Sequence, residues 1–317
     1  MSTDLERMRT FVAAVLSGGA APPDPPLELI QRAHLGPIAY RMGVTALRHE
    51  YAASMIVAER RRHLLAEVVG ALHAAGVRSA PIKGIGFIGT IYPDAAERPM
   101  NDIDLLVPAA LMHVALRTMT SLGFERVGYS RKLSGYYHAL AFSREGLMVE
   151  LHRHIVQHGR TSLRMADVWR RATPATAAGG AERLEPVDEL LICMLHIARH
   201  ELAVPAINFV DVSRLWRRLD AVQRATLAER AEAYRVARAI SAVRSMTDLL
   251  AAGRHGRPEV GLASRVLPTT DDVLLGKRPR RARQLGQKLV LVQGPRELVG
   301  LTIAWAAAIA SGARRTE

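Results

Sequence analysis

Apolar residues recur every three to four positions through the first 75 residues and again beyond residue 160. Between them, short apolar runs alternate with polar residues at period two. The pattern predicts helices, then strands, then helices. Residues 5–17 read as a short helix, stopped by Gly18-Gly19 and the proline-rich stretch 21–26. Helical spacing returns over 27–49, with an interruption expected at Gly36-Pro37, where the residue before proline is steered away from helix. Over 51–75 a long amphipathic helix sets Ile56, Ala58, His63, Leu64, Val68, Leu72 and Ala75 near one stripe. Arg60, Arg61 and Arg62 fall mainly on the other side, as a solvated face, and Gly76 ends the helix.

In the middle of the chain, residues 78–82 predict a strand running into Lys83-Gly84, and 85–92 a helix. Asp102 opens an apolar strand through Leu105, Leu106 and Val107. Residues 109–122 have helical spacing and close at Gly123. Residues 124–129, 136–142 and 147–152 alternate as strands, with 143–146 as a hairpin turn. From Arg160 the pattern is wholly helical, including a helix opened by Glu185-Pro186 and further helices over 221–252 and 283–311. Residues 253–281, rich in Gly, Pro, Arg and Asp, read as a loop or linker. The fold class is α+β, a small mixed sheet flanked by helical regions. The expected divisions are residues 1–76, 77–158 and 159–317.

Composition narrows the class. At 317 residues and 49% hydrophobic content the chain can fill a substantial core. Lys and Arg number 43 against 30 acids, a formal charge of +13 that favours polyanionic partners such as nucleoside triphosphate or RNA. The cations are scattered rather than gathered, which fits an Arg- and Ala-rich composition equally well. Cys193 stands alone, so neither an internal disulfide nor a cysteine zinc site can form. The apolar run 303–310 is far too short to span a bilayer, and the first residues lack a signal-peptide pattern; a cytoplasmic location without membrane contact is expected.

The candidate chemistry lies in the strands. Asp102 and Asp104 sit at i and i+2, so both carboxylates share one face of their strand while Ile103 takes the other. Like charges so close persist where a cation offsets them, and a divalent metal does so readily. In the strand 147–152, Met148, Glu150 and His152 share a face; Glu150 joins the acidic pair if its strand lies alongside, and otherwise is a charged residue on an open sheet face. Lys83, Gly84, Gly86 and Arg98 are candidate phosphate-side residues: the glycines let backbone N–H groups approach phosphate oxygens and the cations offset their charge; otherwise Lys83 is an ordinary strand-end lysine and Arg98 a loop residue paired with an acid. His196 and His200 stand at i and i+4, with Asp211 beyond them. No His-Glu-x-x-His zinc pattern is present, so the three are expected to pack and hydrogen-bond along a cleft.

Ile82-Lys83-Gly84, Tyr92-Pro93, the run from Arg98 through Asn101-Asp102-Ile103-Asp104 to Val107, and Val149-Glu150-Leu151-His152 together resemble the bacterial nucleotidyltransferases of the polymerase-beta-like superfamily. The resemblance implies transfer of a nucleoside monophosphate from a nucleoside triphosphate to a hydroxyl of a small molecule, peptide or protein. It implies two Mg²⁺ ions held by Asp102, Asp104 and Glu150. An RNA or tRNA acceptor is the alternative favoured by the charge. A catalytically silent nucleotide binder is a third, because this chain has Gly84-Ile85-Gly86 where Gly-Gly or Gly-Ser is usual.

Overall fold

The computed structural model describes residues 2–127, 138–156, 161–175, 179–261 and 263–277, together with 292–294, 299, 302 and 303. The strand ends expected at 128–129 and 136–137, and most of the helix expected over 283–311, lie outside the described residues. The chain opens with α1 (Ser2–Ser17), α2 (Leu27–Arg32), α3 (Gly36–Arg41) and the long α4 (Arg48–Ala74). The central part carries β1 (Ala80–Ile82), α5 (Lys83–Gly86), β2 (Asp102–Leu106), α6 (Met112–Ser121), β3 (Glu125–Val127), β4 (Ala139–Arg144) and β5 (Leu147–His152). There follow α7 (Met165–Arg171), the short pair β6 (Thr173–Pro174) and β7 (Glu182–Arg183), α8 (Pro186–Arg199), α9 (Ile207–Arg218), α10 (Ala221–Ala233), α11 (Ala237–Ala251) and α12 (Thr270–Leu274).

Five strands make one mixed sheet in the order β1-β2-β5-β4-β3. β2 and β5 run parallel, and every other neighbouring pair in it is antiparallel. The alternation expected for these strands sorts their two faces. Ile103, Leu105, Leu140, Phe142, Val149 and Leu151 are buried against Leu64, Val68 and Leu72 of α4 and Met112, Ala115 and Met119 of α6. Full burial of such side chains contributes about 1.5–3 kcal/mol each, so this face fixes the register of β2 against β5. The opposite face carries Asp104, Glu150 and His152, and its buried Leu106 joins the larger helical core.

Several expectations change in space. β4 and β5 meet through Glu145 and Gly146 alone, with φ of 52° and 75°; two positive φ values match the twist of a tight hairpin, so the strands extend into the wider turn expected at 143–146. The first break in the N-terminal helices falls at residues 33–35, where His34 has φ 59°, and Pro37 sits in the first turn of α3, a position that needs no N–H. The helix expected over 85–92 is the single turn α5. On α4, Ile56 is 63% exposed and the His63 side chain is exposed, whereas Arg61 is only 8% exposed. The buried stripe instead runs through Ser54, Ala58, Arg61, Leu64, Val68 and Leu72. Beyond residue 160 the chain is not wholly helical: β6 and β7 pair, and Glu182 N–H donates to Ser79 O at 2.7 Å. The stretch expected as a loop contains α12, with Leu267, Thr270, Val273 and Leu274 buried and Asp271 paired to Arg9 of α1. Among the described residues, no helix is long and apolar enough to cross a membrane.

Candidate active site

The parallel register of β2 and β5 sets Asp104 opposite Glu150 and Leu106 opposite His152. Residues opposite one another in a ladder point to the same side, so the acid of one strand meets the acid and imidazole of the other. Asp104 Oδ1 lies 2.6 Å from His152 Nε2, which is 3.3 Å from Glu150 Oε2. On β4 the flanking residues Ala139 and Ala141 pair with His152 and Glu150; small side chains there leave the larger groups room. Ligand atoms of Asp104, Glu150 and His152 lie within 4.8 Å of one another. Asp102, opposite Met148, is not among these converging atoms, and His152 takes the third place.

Lys83 completes this corner. Its Nζ donates to Asp104 Oδ1 at 2.6 Å, and its backbone has φ 54°, a left-handed conformation that costs a side-chain-bearing residue about 1–2 kcal/mol. Of the two glycines in the turn, Gly86 is the constrained one: a Cβ there would meet Pro81 O at 2.7 Å. At Gly84 a Cβ would press on Met100 Cβ at 3.3 Å. Glycine is therefore required at 86 by close backbone approach within the turn itself.

The charges bias one another strongly. Burial raises the Asp104 pKa, but Lys83 and His152 outweigh it and hold the carboxyl well below its ordinary range. Burial also opposes ionisation of Glu150, and the His152 hydrogen bond and charge bring it below its usual value. His152 moves the other way: burial and Lys83 lower its pKa, yet its bonds to Asp104 and Glu150 leave it raised. Asp102 is pushed up to about 6, first by burial and then by the like charge of Asp104. Two carboxylates and an imidazole suit a small divalent cation. An ammonium already rests on Asp104, so the corner accepts positive charge; the buried His152 Nδ1, the ring nitrogen not facing the acids, has no hydrogen-bond partner among the described residues.

The remaining sequence candidates fall behind and beside this cluster. Arg98 was expected at a phosphate; its fork instead grips Asp211, with Nε 2.9 Å from Oδ1 and Nη2 2.8 Å from Oδ2, and Tyr92 OH donates to the same Oδ1 at 2.6 Å. Buried Arg98 and Asp211 thus tie the segment before β2 to α9. His196 sits in the last turn of α8 and His200 caps its end, with ring centroids 4.8 Å apart. Burial, then Lys83, lowers the His196 pKa well below its ordinary value, so this imidazole is neutral near the cluster. Sequence reasoning missed His138, whose ring lies 5.7 Å from that of His152 and which contacts Arg199. It precedes β4 by one residue, where alternation would put it on the core side with Leu140 and Phe142, so no periodic signal marked it. It also missed Arg61, whose Nη2 donates to Asn101 O at 2.8 Å beside Asp102.

Residues 33–252 match a family model described as uncharacterised nucleotidyltransferase. No curated protein and no solved structure matches the chain.

Proposed function

Because the chain belongs to this nucleotidyltransferase family, we propose that it moves a nucleoside monophosphate from a nucleoside triphosphate to a hydroxyl group, in the manner of the polymerase-beta-like superfamily. The observation that carries the reading is the in-register meeting of Asp104 and Glu150, with His152, beside the Lys83 turn. Asp104, Glu150 and His152 would hold a divalent ion such as Mg²⁺, and Asp102 on the same face is the carboxylate for a second. When bound, such ions offset charge on the reacting phosphate and lower the pKa of the attacking hydroxyl.

The chain's own groups supply the rest. The acceptor oxygen bonds to the α-phosphorus, the bond from that phosphorus to pyrophosphate breaks, and the hydroxyl proton passes to Glu150. Lys83, positioned by its left-handed backbone, offsets charge on the departing pyrophosphate once substrate draws it from Asp104. Arg98, held by Asp211, sets the approach of the segment that delivers Asp102. His196 and His200, whose rings lie 4.8 Å apart, would line the cleft.

The acceptor is a small molecule, peptide or protein in the first reading. The formal charge of +13 favours RNA in the second. Incubation with each labelled nucleoside triphosphate, Mg²⁺ and a cell extract should release pyrophosphate and label one class of molecule, and RNase treatment separates the two readings. Absence of pyrophosphate release with every triphosphate would overturn both and leave a nucleotide-binding protein.

A further inference from the structure

A cavity of about 320 Å³ lies between α2, the start of α3, one face of α4 and residues 99–101. Gln31, His34, Glu50, Val57, Met100 and Asn101 contribute to its wall. It adjoins the candidate active site on two counts. Asn101 directly precedes Asp102, and Met100 packs on Gly84 of the Lys83 turn. The cavity has the size of small-ligand sites, which are mostly apolar with a few polar groups that fix orientation.

Its acidic group is Glu50. Gln31 Nε2 donates to Oε1, while Oε2, covered by Gly36, is buried with no hydrogen-bond partner among the described residues. No ion pair joins Glu50 to a cation among the described residues. His34 does not supply one, since burial and then Arg98 lower its pKa. An unmatched carboxylate oxygen keeps an acceptor that an entering donor would fill. The last torsion of a glutamate is soft, so this oxygen can turn toward the cavity. A side chain larger than hydrogen at position 36 would crowd it, because a Cβ there would lie 3.1 Å from Oε2.

We infer that this cavity is the acceptor subsite, taking a small molecule whose protonated amine binds Glu50 while its apolar body rests on Val57 and Met100. The inference rests on the nucleotidyl-transfer reading for the word acceptor, and on the cavity alone for the ligand chemistry.

Titration of the full-length protein with cyclohexylmethylamine and with cyclohexylmethanol, isosteric probes differing in the charged head, tests it by calorimetry. The amine should bind about tenfold or more tightly than the alcohol, the size of one charge-assisted hydrogen bond. Glu50→Gln should remove that preference. Val57→Trp, at a rim position 36% exposed and tolerant of bulk, should weaken both probes. Asp104→Asn should leave both affinities unchanged. Equal binding of the two probes, no binding of either, or a preference that survives in Glu50→Gln overturns the inference. Because the readout is binding, an amine preference in a protein that releases no pyrophosphate would defeat the transfer reading alone. Release without the preference would defeat the subsite alone.

Discussion

Asp104 and Asp211 are both buried aspartates facing cations, and their oxygens are used differently. Asp211 accepts on both: Tyr92 and Arg98 Nε meet Oδ1, and Arg98 Nη2 meets Oδ2. Asp104 receives Lys83 and His152 on Oδ1 alone, with Glu150 close behind and Asp102 two residues away on the same face. The first arrangement is closed, every strong acceptor being matched within the protein. The second concentrates like charge and leaves an acceptor open, which is how a site meant for an added cation or phosphate differs from a structural lock.

The widest separation between the two should come from substitution of the acids themselves. Asp104→Asn should cut pyrophosphate release on the order of 10³-fold, the scale of losing a group that stabilises developing charge, while circular dichroism stays unchanged. Asp211→Asn should act on the fold, because it strands the buried Arg98 guanidinium. A loss of about 3–5 kcal/mol in urea unfolding is expected. If instead Asp211→Asn slowed turnover at full stability, the lock would be part of the chemistry.

A third buried acid extends the series. Glu189 in α8 has no hydrogen-bond partner for its carboxyl among the described residues, and burial, only partly opposed by Arg183 and Arg218, raises it to about 7. A folded-state pKa above the unfolded value of 4.5 means that the stability contribution is complete below pH 4.5 and is lost as pH rises through 7. Glu189→Gln should therefore match the parent at pH 4 and exceed it by about 3 kcal/mol at pH 8.5, at 1.36 kcal/mol per unit; a constant difference across that range would refute the buried titration. The smallest effect belongs to the hairpin that aligns β5 with β4. Gly146→Ala, at φ 75°, should cost about 1 kcal/mol without changing turnover, measured as a shift in the unfolding midpoint.

Much of this was legible from period alone. The alternation in β4 and β5, the Asp102–Asp104 pair on one face and the helical spacing of α8 and α11 all appear where burial demands them; on α4 the period was legible but the buried stripe was not. The turn residues were legible too, because Gly146 is where a tight hairpin needs positive φ. What periodicity missed were the exceptions to it. Arg61 is charged yet buried, because a helix stripe is set by what it packs against, and here that is the Asn101 carbonyl.

The sequence by itself determined the fold class, the strand faces and which acids share a face, since these follow from side-chain polarity repeated at a fixed backbone period. Tertiary structure decided the partnerships. Strand order placed His152 rather than Asp102 beside Asp104 and Glu150, and helix packing carried Asp211 across 113 residues to take Arg98. Spacing along a chain fixes which way a side chain points, but contacts between distant segments depend on how sheets and helices stack, and no local pattern encodes that.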